Sequence, residues 1–266
     1  MRKVVPVLVA VGLIVLIAVG FVGFQVLDRY MPTKERADLA EVYDVSGDET
    51  AILYNYEQQE QTGIYENGQT YLPVSWVNDH INERFYWDEE NSQLIYTLPD
   101  QIVYANEETM GSSGKPLLVQ QDGTVWLLSS LVSAYTNVRI ETFDTDGVHR
   151  IFVDTTWESQ QLAKVKKNTA LRIRGGVKSA LITEVPSGAE VTVLEQLENW
   201  SRVRTEDGQV GYLPNRRLKE TEAKTLVSTF QEPEYTSISM DEPVVLVWHQ
   251  VTNLSANQAM QTLISA

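Results

Sequence analysis

Cysteine is missing altogether from the 266 residues, and histidine occurs only three times. Without thiols there is neither a disulfide framework nor a thiolate metal site, so the folded parts must rest on ordinary apolar cores. His80, His149 and His249 stand singly. Each reads as a surface or internally satisfied residue, and no metal and no cofactor is expected. Positive charge is scarce as well, with 21 Lys and Arg against 36 Asp and Glu and a formal charge of −15. The scarcity is uneven: Lys164 to Lys219 carries 11 basic and 6 acidic residues, which leaves −20 for the remainder. One basic segment therefore lies in an acidic chain. Gly-x-Ser-x-Gly, His-Glu-x-x-His and phosphate-binding loops are all lacking, so the common hydrolase and nucleotide motifs give no catalytic residue.

What the chain does possess, at its start, is a long apolar run. Val4 to Phe24 reads VVPVLVAVGLIVLIAVGFVGF without a charge. About twenty such residues make roughly 30 Å of helix, enough to span a bilayer's hydrocarbon core. Arg2 and Lys3 precede the run, which predicts an amino end kept in the cytoplasm and a chain exported from Asp28 onward. A cleaved signal peptide is the competing reading. Its apolar region is usually shorter and ends in a small-residue site that Phe21, Phe24, Gln25 and Leu27 do not provide. The expectation is a single-pass signal anchor over residues 1–27 in the cell membrane, with the remainder extracellular.

Residues 28–50 read as a polar juxtamembrane spacer, with Pro32 ending the membrane helix and ERADLAEVYDV offering a turn or two of helix. From Ala51 the pattern becomes β-rich. TGIYE and QTYLPV flank Asn67-Gly68, a strong hairpin signal; SWVNDHINER suits a short helix; FYWD and QLIYTL flank a second polar turn. The succession then repeats. QIVYANE answers AILYNYE, Asp122-Gly123 answers Asn67-Gly68, SSLVSAYTN takes the helix position, and RIETFD with HRIFVD around Asp146-Gly147 supplies the last hairpin. Two such units, each too small for a core of its own, predict one α+β two-repeat domain over residues 51–155. The recurring aromatics, Tyr71, Trp76, Tyr86, Trp87 and Trp126, are expected in its core rather than on a sugar-stacking platform. The run LPVSWVND…FYWDEENSQLIY resembles the copper amine oxidase N-terminal-like stalk domain. That resemblance implies no copper here.

After a linker at 156–167, five short alternating runs punctuated by Pro186-Ser187-Gly188, Glu198-Asn199 and Asp207-Gly208 predict an all-β small barrel over residues 168–219. LRIR, PSGAEVTVLEQLENWSRVRTEDGQVGYLP and the Gly211-Tyr212 step resemble the bacterial SH3-like domain, with GGVKSA where relatives often carry an Asn-rich turn. The resemblance implies a module that binds peptidoglycan or another anionic wall polymer. The candidate binding residues are Arg172, Arg174, Trp200, Arg202, Arg204, Tyr212, Arg216 and Arg217, whose charge suits a polyanion with salt-dependent strength. A solvated spacer is the alternative, and nucleic acid is not expected as a partner.

A second linker, 220–242, leads to EPVVLVWHQVTNLSANQAM. Its continuous apolar strand followed by a helical pattern reads as one unpartnered β/α unit over 243–266. It resembles the first strand and helix of a family 18 glycoside hydrolase, which implies the truncated start of a (β/α)8 barrel with Trp248 and His249 lining a sugar cleft. That family's Asp-x-x-Asp-x-Asp-x-Glu motif is missing. Asp144-Thr145-Asp146 comes nearest, has no following Glu and falls in a hairpin turn. The expectation is the wall-targeting amino-terminal region of a family 18-like glycosidase, with no catalytic residue of its own. The alternative is a non-catalytic envelope protein for adhesion, sensing or scaffolding.

Overall fold

The computed structural model describes residues 4–97, 102–155, 159–221, 223–225, 244–247 and 262–265. The chain divides into two compact units, one of residues 1–42 with 160–224 and one of 43–159 with 225–266. Helix α1 (Val4–Tyr30) carries the apolar run. Its stretch Gly12–Tyr30 is long and apolar enough to cross a membrane and buries none of that surface in the protein, unlike a core helix. A short helix α2 (Leu39–Tyr43) follows.

The repeats of the second unit are visible in its turns. Strands β1 (Glu49–Tyr54), β2 (Glu57–Glu66) and β3 (Gln69–Pro73) lead into α3 (Val74–His80), then β4 (Phe85–Asp88), β5 (Gln93–Thr97) and β6 (Ile102–Ala105). The second copy begins with β6 and runs on through β7 (Leu118–Gln121), β8 (Thr124–Leu128), α4 (Ser129–Tyr135), β9 (Arg139–Thr145) and β10 (Val148–Asp154). The β2–β3, β7–β8 and β9–β10 turns place Asn67-Gly68, Asp122-Gly123 and Asp146-Gly147 with φ between 51° and 79°. Two consecutive left-handed residues give the type I′ twist that matches paired strands.

The sheet orders carry the same relation further. One sheet runs β7-β8-β3-β2-β1-β10-β9 and the other β4-β5-β6. Laid end to end, they read the same from either end once β1 is equated with β6, β2 with β7, β3 with β8, β4 with β9 and β5 with β10. The pseudo-twofold axis passes between β3 and β8, where the equivalent residues Leu72 and Leu127 face each other. The order breaks between β6 and β7. There the 106–117 connection replaces the two-residue turn Asn55-Tyr56 that joins β1 to β2. A second asymmetry accompanies the break: β10 pairs with β1 in parallel, whereas β5 pairs with β6 antiparallel. Ile151 and Val153 enter the core from the first pair, Leu94 and Tyr96 from the second. Tyr71 and Trp76 are fully buried, as core packing requires, but Tyr86 is 60% exposed, contrary to the expectation for that aromatic.

The first unit is larger than the predicted barrel. Its strands are β11 (Ser159–Val165), β12 (Thr169–Arg172), β13 (Leu181–Val185), β14 (Glu190–Gln196), β15 (Trp200–Thr205), β16 (Val210–Pro214), β17 (Leu218–Glu220) and β18 (Lys224–Thr225). They follow the order β13-β12-β16-β15-β14-β11-β17, with β18 also on β11. Much of the expected linker 156–167 is thus a strand, because its alternating Ala163 and Val165 are buried as it fills the gap between β14 and β17. The expected spacer is also docked. Thr33 N–H donates to the Val177 carbonyl at 2.9 Å, Leu181 N–H to Glu35 at 2.7 Å, and Ala37 N–H to Leu181 at 2.8 Å. Arg36 bridges Leu181 in parallel, so this strap pairs with the free edge of β13 at its first residue.

Two final strands, β19 (Val244–Val247) and β20 (Thr262–Ser265), pair antiparallel. The helix expected after the apolar strand is therefore a strand where residues 262–265 are described. Trp248 and His249 lie outside the described residues.

Candidate ligand-binding face

Alternation along β15 sorts its side chains into two sets. Ser201, Val203 and Thr205 are buried at 2%, 0% and 7% exposure, which leaves Trp200, Arg202 and Arg204 on the opposite face. Register aligns Arg202 with Tyr212 on β16, Tyr212 with Arg172 on β12, and Trp200 with Pro214. Arg172, Tyr212 and Arg202 thus form one row across three strands, with Trp200 beside it. Gly211 permits this packing: a Cβ there would stand 2.7 Å from the Arg172 carbonyl oxygen. Gly175 does the same for the indole, since a Cβ would meet Trp200 atoms at 3.1–3.3 Å. The GGVKSA loop therefore packs on the tryptophan.

The eight candidate residues do not share one fate. Arg172 is 5% exposed, and its guanidinium donates to the carbonyls of Ser179 and Thr33, the latter at 3.1 Å. Burial lowers its pKa from the usual arginine value. It fastens the strap and is not presented to a ligand, contrary to its expected role. Arg204 is 7% exposed and likewise withdrawn. Trp200, Arg202, Tyr212 and Arg217 are half-buried, while Arg174 and Arg216 are exposed.

Arg216 and Arg217 belong to a short 3-10 turn just after β16. Lys166 N–H donates to the Arg217 carbonyl at 2.8 Å, and Lys164 lies directly opposite Lys219 across the β11–β17 ladder. Like charges directly opposite destabilise a pair. Glu190 faces Lys164 from the other side, on β14. This basic edge of Lys164, Lys166, Lys219, Arg216 and Arg217 could not be assembled from spacing, because its two strands are more than 50 residues apart. A groove of about 440 Å³ in the same unit is lined by Glu184, Glu190, Glu206 and Asp207 and contains none of the eight candidates. It is an acidic feature that meets the basic edge at Glu190, the partner of Lys164.

With this geometry in place, comparison with known families resolves the segment. Residues 167–219 match the bacterial SH3 domain family. Bacterial SH3 domains are commonly cell-wall-binding modules. The matched part of the SH3 domain leaves out β11, which its sheet requires, and the strap. No curated protein matches the chain.

The histidines described by the structure are internally engaged. His80 Nδ1 lies 3.0 Å from the Trp76 carbonyl and its ring stacks on Trp76, while His149 Nδ1 lies 3.0 Å from Asp144 and stacks on Tyr65. Among the described residues no cluster of His, Asp and Glu could hold a metal ion.

Proposed function

We propose that the chain is a membrane-anchored envelope protein whose SH3 domain binds an anionic cell-wall polymer, peptidoglycan or another carboxylate- or phosphate-bearing chain. The observation that carries the reading is the basic edge, where Lys164 and Lys219 oppose each other beside Lys166, Arg216 and Arg217. Basic side chains gathered at one edge of an otherwise acidic chain suit a polyanion that neutralises them. Trp200, Arg202 and Tyr212 supply a second face of the same sheet, separated from β11 by β14, for an apolar part of the same ligand. Arg2 and Lys3 ahead of α1 put the amino end in the cytoplasm and the rest outside.

The test uses the full chain in detergent, because residues 165–220 alone omit β11 and the strap. It should sediment with Gram-positive wall sacculi, and added salt should release it. Charge reversal at Arg216 and Arg217 should weaken binding at low salt. Sedimentation indifferent to both salt and charge reversal sinks the polyanion reading. For topology, protease added to protoplasts should digest the SH3 domain, and full protection would place it inside.

The finer reading, a wall-targeting region of a family 18-like glycosidase that acts on envelope or chitin-like glycans, rests on EPVVLVWHQV. A non-catalytic role in adhesion, sensing or scaffolding is the alternative, in which the SH3 domain alone carries the function. Either way, residues 1–266 are expected to hydrolyse no chitooligosaccharide.

A further inference from the structure

The two-repeat unit contains its own internal control for what the fold requires. Positions alike in both copies include Leu72 and Leu127, and Val77 and Val132, all at 0–1% exposure. These serve the shared core. A groove of about 610 Å³ lies among α3, β4 with its turn, and the β7–β8 turn, and it is lined in part by residues that the second copy does not reproduce. Tyr86 pairs with Ile95 on β5, and in the other copy Thr142 pairs with Ile151, so Thr142 occupies the position of Tyr86. On the helices, 55 positions apart, Asn78 and Asp79 correspond to Ser133 and Ala134. The core thus survives in the second copy without these side chains.

Their chemistry is that of a sugar site. Tyr86 keeps 60% of its surface in water, which leaves an aromatic face for the apolar side of a pyranose ring, while its neighbour Trp87 packs against the core. Asn78 Nδ2 donates to the carbonyls of Glu83 at 3.0 Å and Phe85 at 2.8 Å, which fixes the amide and leaves its Oδ1 as an acceptor. Ser75, Ser92 and Thr124 add hydroxyls. Every charged residue lining the groove is acidic, Asp79 and Glu89. A polyanion is therefore repelled, and a hydroxyl-rich ligand without negative charge is accepted.

We propose that this groove binds a glycan segment that is neutral or bears amines, through stacking on Tyr86 and hydrogen bonds to Asn78, Asp79 and Glu89. This inference is independent of the SH3 reading, since it concerns another unit and a ligand of different charge. The test titrates the full chain in detergent with chitotetraose, its de-N-acetylated form and an anionic oligogalacturonate, following tryptophan fluorescence. The first two should bind saturably, and the third should not bind at this groove. Tyr86→Ala should weaken chitotetraose about tenfold, Tyr86→Phe should change it little, and Asp79→Lys should abolish any preference for the amine-bearing form. Arg216→Glu should leave the first two unchanged, and any weakening it causes should be confined to the oligogalacturonate, whose charge suits the basic edge of the other unit. Because Tyr86 is exposed, its alanine variant should melt like the parent. Absence of saturable binding, or binding indifferent to both Tyr86→Ala and Asp79→Lys, overturns the proposal; loss with Trp200→Ala instead assigns the sugar to the SH3 domain and overturns it equally.

Discussion

Residues 43–159 carry 4 basic and 20 acidic side chains, whereas Lys164 to Lys219 carries 11 and 6. Both regions are built from short strands and tight turns, yet they carry net charge of opposite sign. They also complete themselves differently. The two-repeat unit draws its core from two copies of one local pattern that meet at Leu72 and Leu127. The SH3 unit gathers distant pieces: β11 fills its sheet, and Thr33 to Ala37 pairs with the β13 edge at Leu181. The first arrangement closes its core within residues 52–153. The second needs segments that a family match over 167–219 leaves out.

The sharpest way to separate the two is a core truncation in one of them. Trp76 is 1% exposed, stacks on His80 at 5.0 Å and meets Tyr54 edge-on at 5.6 Å. Trp76→Ala is expected to cost about 3–5 kcal/mol in the two-repeat unit. Denaturation followed by amide exchange should show protection falling in β1, β3 and β10 while β12, β15 and β16 are unaffected. A loss shared equally by both sets would end the comparison, because the units would then unfold as one.

A smaller effect tests the strap. Arg172→Ala removes donors from the Thr33 and Ser179 carbonyls, and each buried hydrogen bond lost costs about 1–3 kcal/mol. Exchange at the Ala37 and Leu181 amides, which bond across the strap, should accelerate before any other site in the SH3 domain. Unchanged exchange there would show that the strap is held without the arginine.

How much of this was legible in the sequence follows from how local each cause is. Asn67-Gly68, Asp122-Gly123 and Asp146-Gly147 announce their turns because the left-handed pair is encoded in two adjacent residues. The SH3 segment could be read from its strand and turn pattern. The strap could not, since residues 33–37 contribute backbone groups to β13 and their side chains carry no signature of it. The basic edge was only half legible: Arg216 and Arg217 stand out as charges, but Lys164 joins them through pairing across the sheet. Arg172 and Arg204 misled because charge predicts exposure, and burial is decided by what else reaches the same face. Tyr86 misled in the opposite sense. Its recurrence among aromatics suggested core, whereas β4 turns Phe85 inward and leaves Tyr86 in water.

The smallest expected effect concerns pH and again separates the units. The Asp88 carboxylate accepts hydrogen bonds from Asn91 Nδ2 at 2.7 Å and from the N–H groups of Asn91 at 3.3 Å and Glu90 at 3.1 Å. The Asn91 side chain is the main reason its pKa falls below the usual aspartate value. A group whose pKa is lower folded than unfolded stabilises the fold above its unfolded pKa, about 3.9, and that contribution fades as pH falls through the folded value. Asp88→Asn should therefore destabilise the two-repeat unit modestly at neutral pH. The gap between parent and variant should close on acidification, because protonation deprives the parent of the same charge. The SH3 domain, followed by exchange in β15 and β16, should not distinguish the two proteins at any pH. A gap that stays constant down to strongly acid pH would mean that the turn, and not the carboxylate's charge, accounts for the stabilisation.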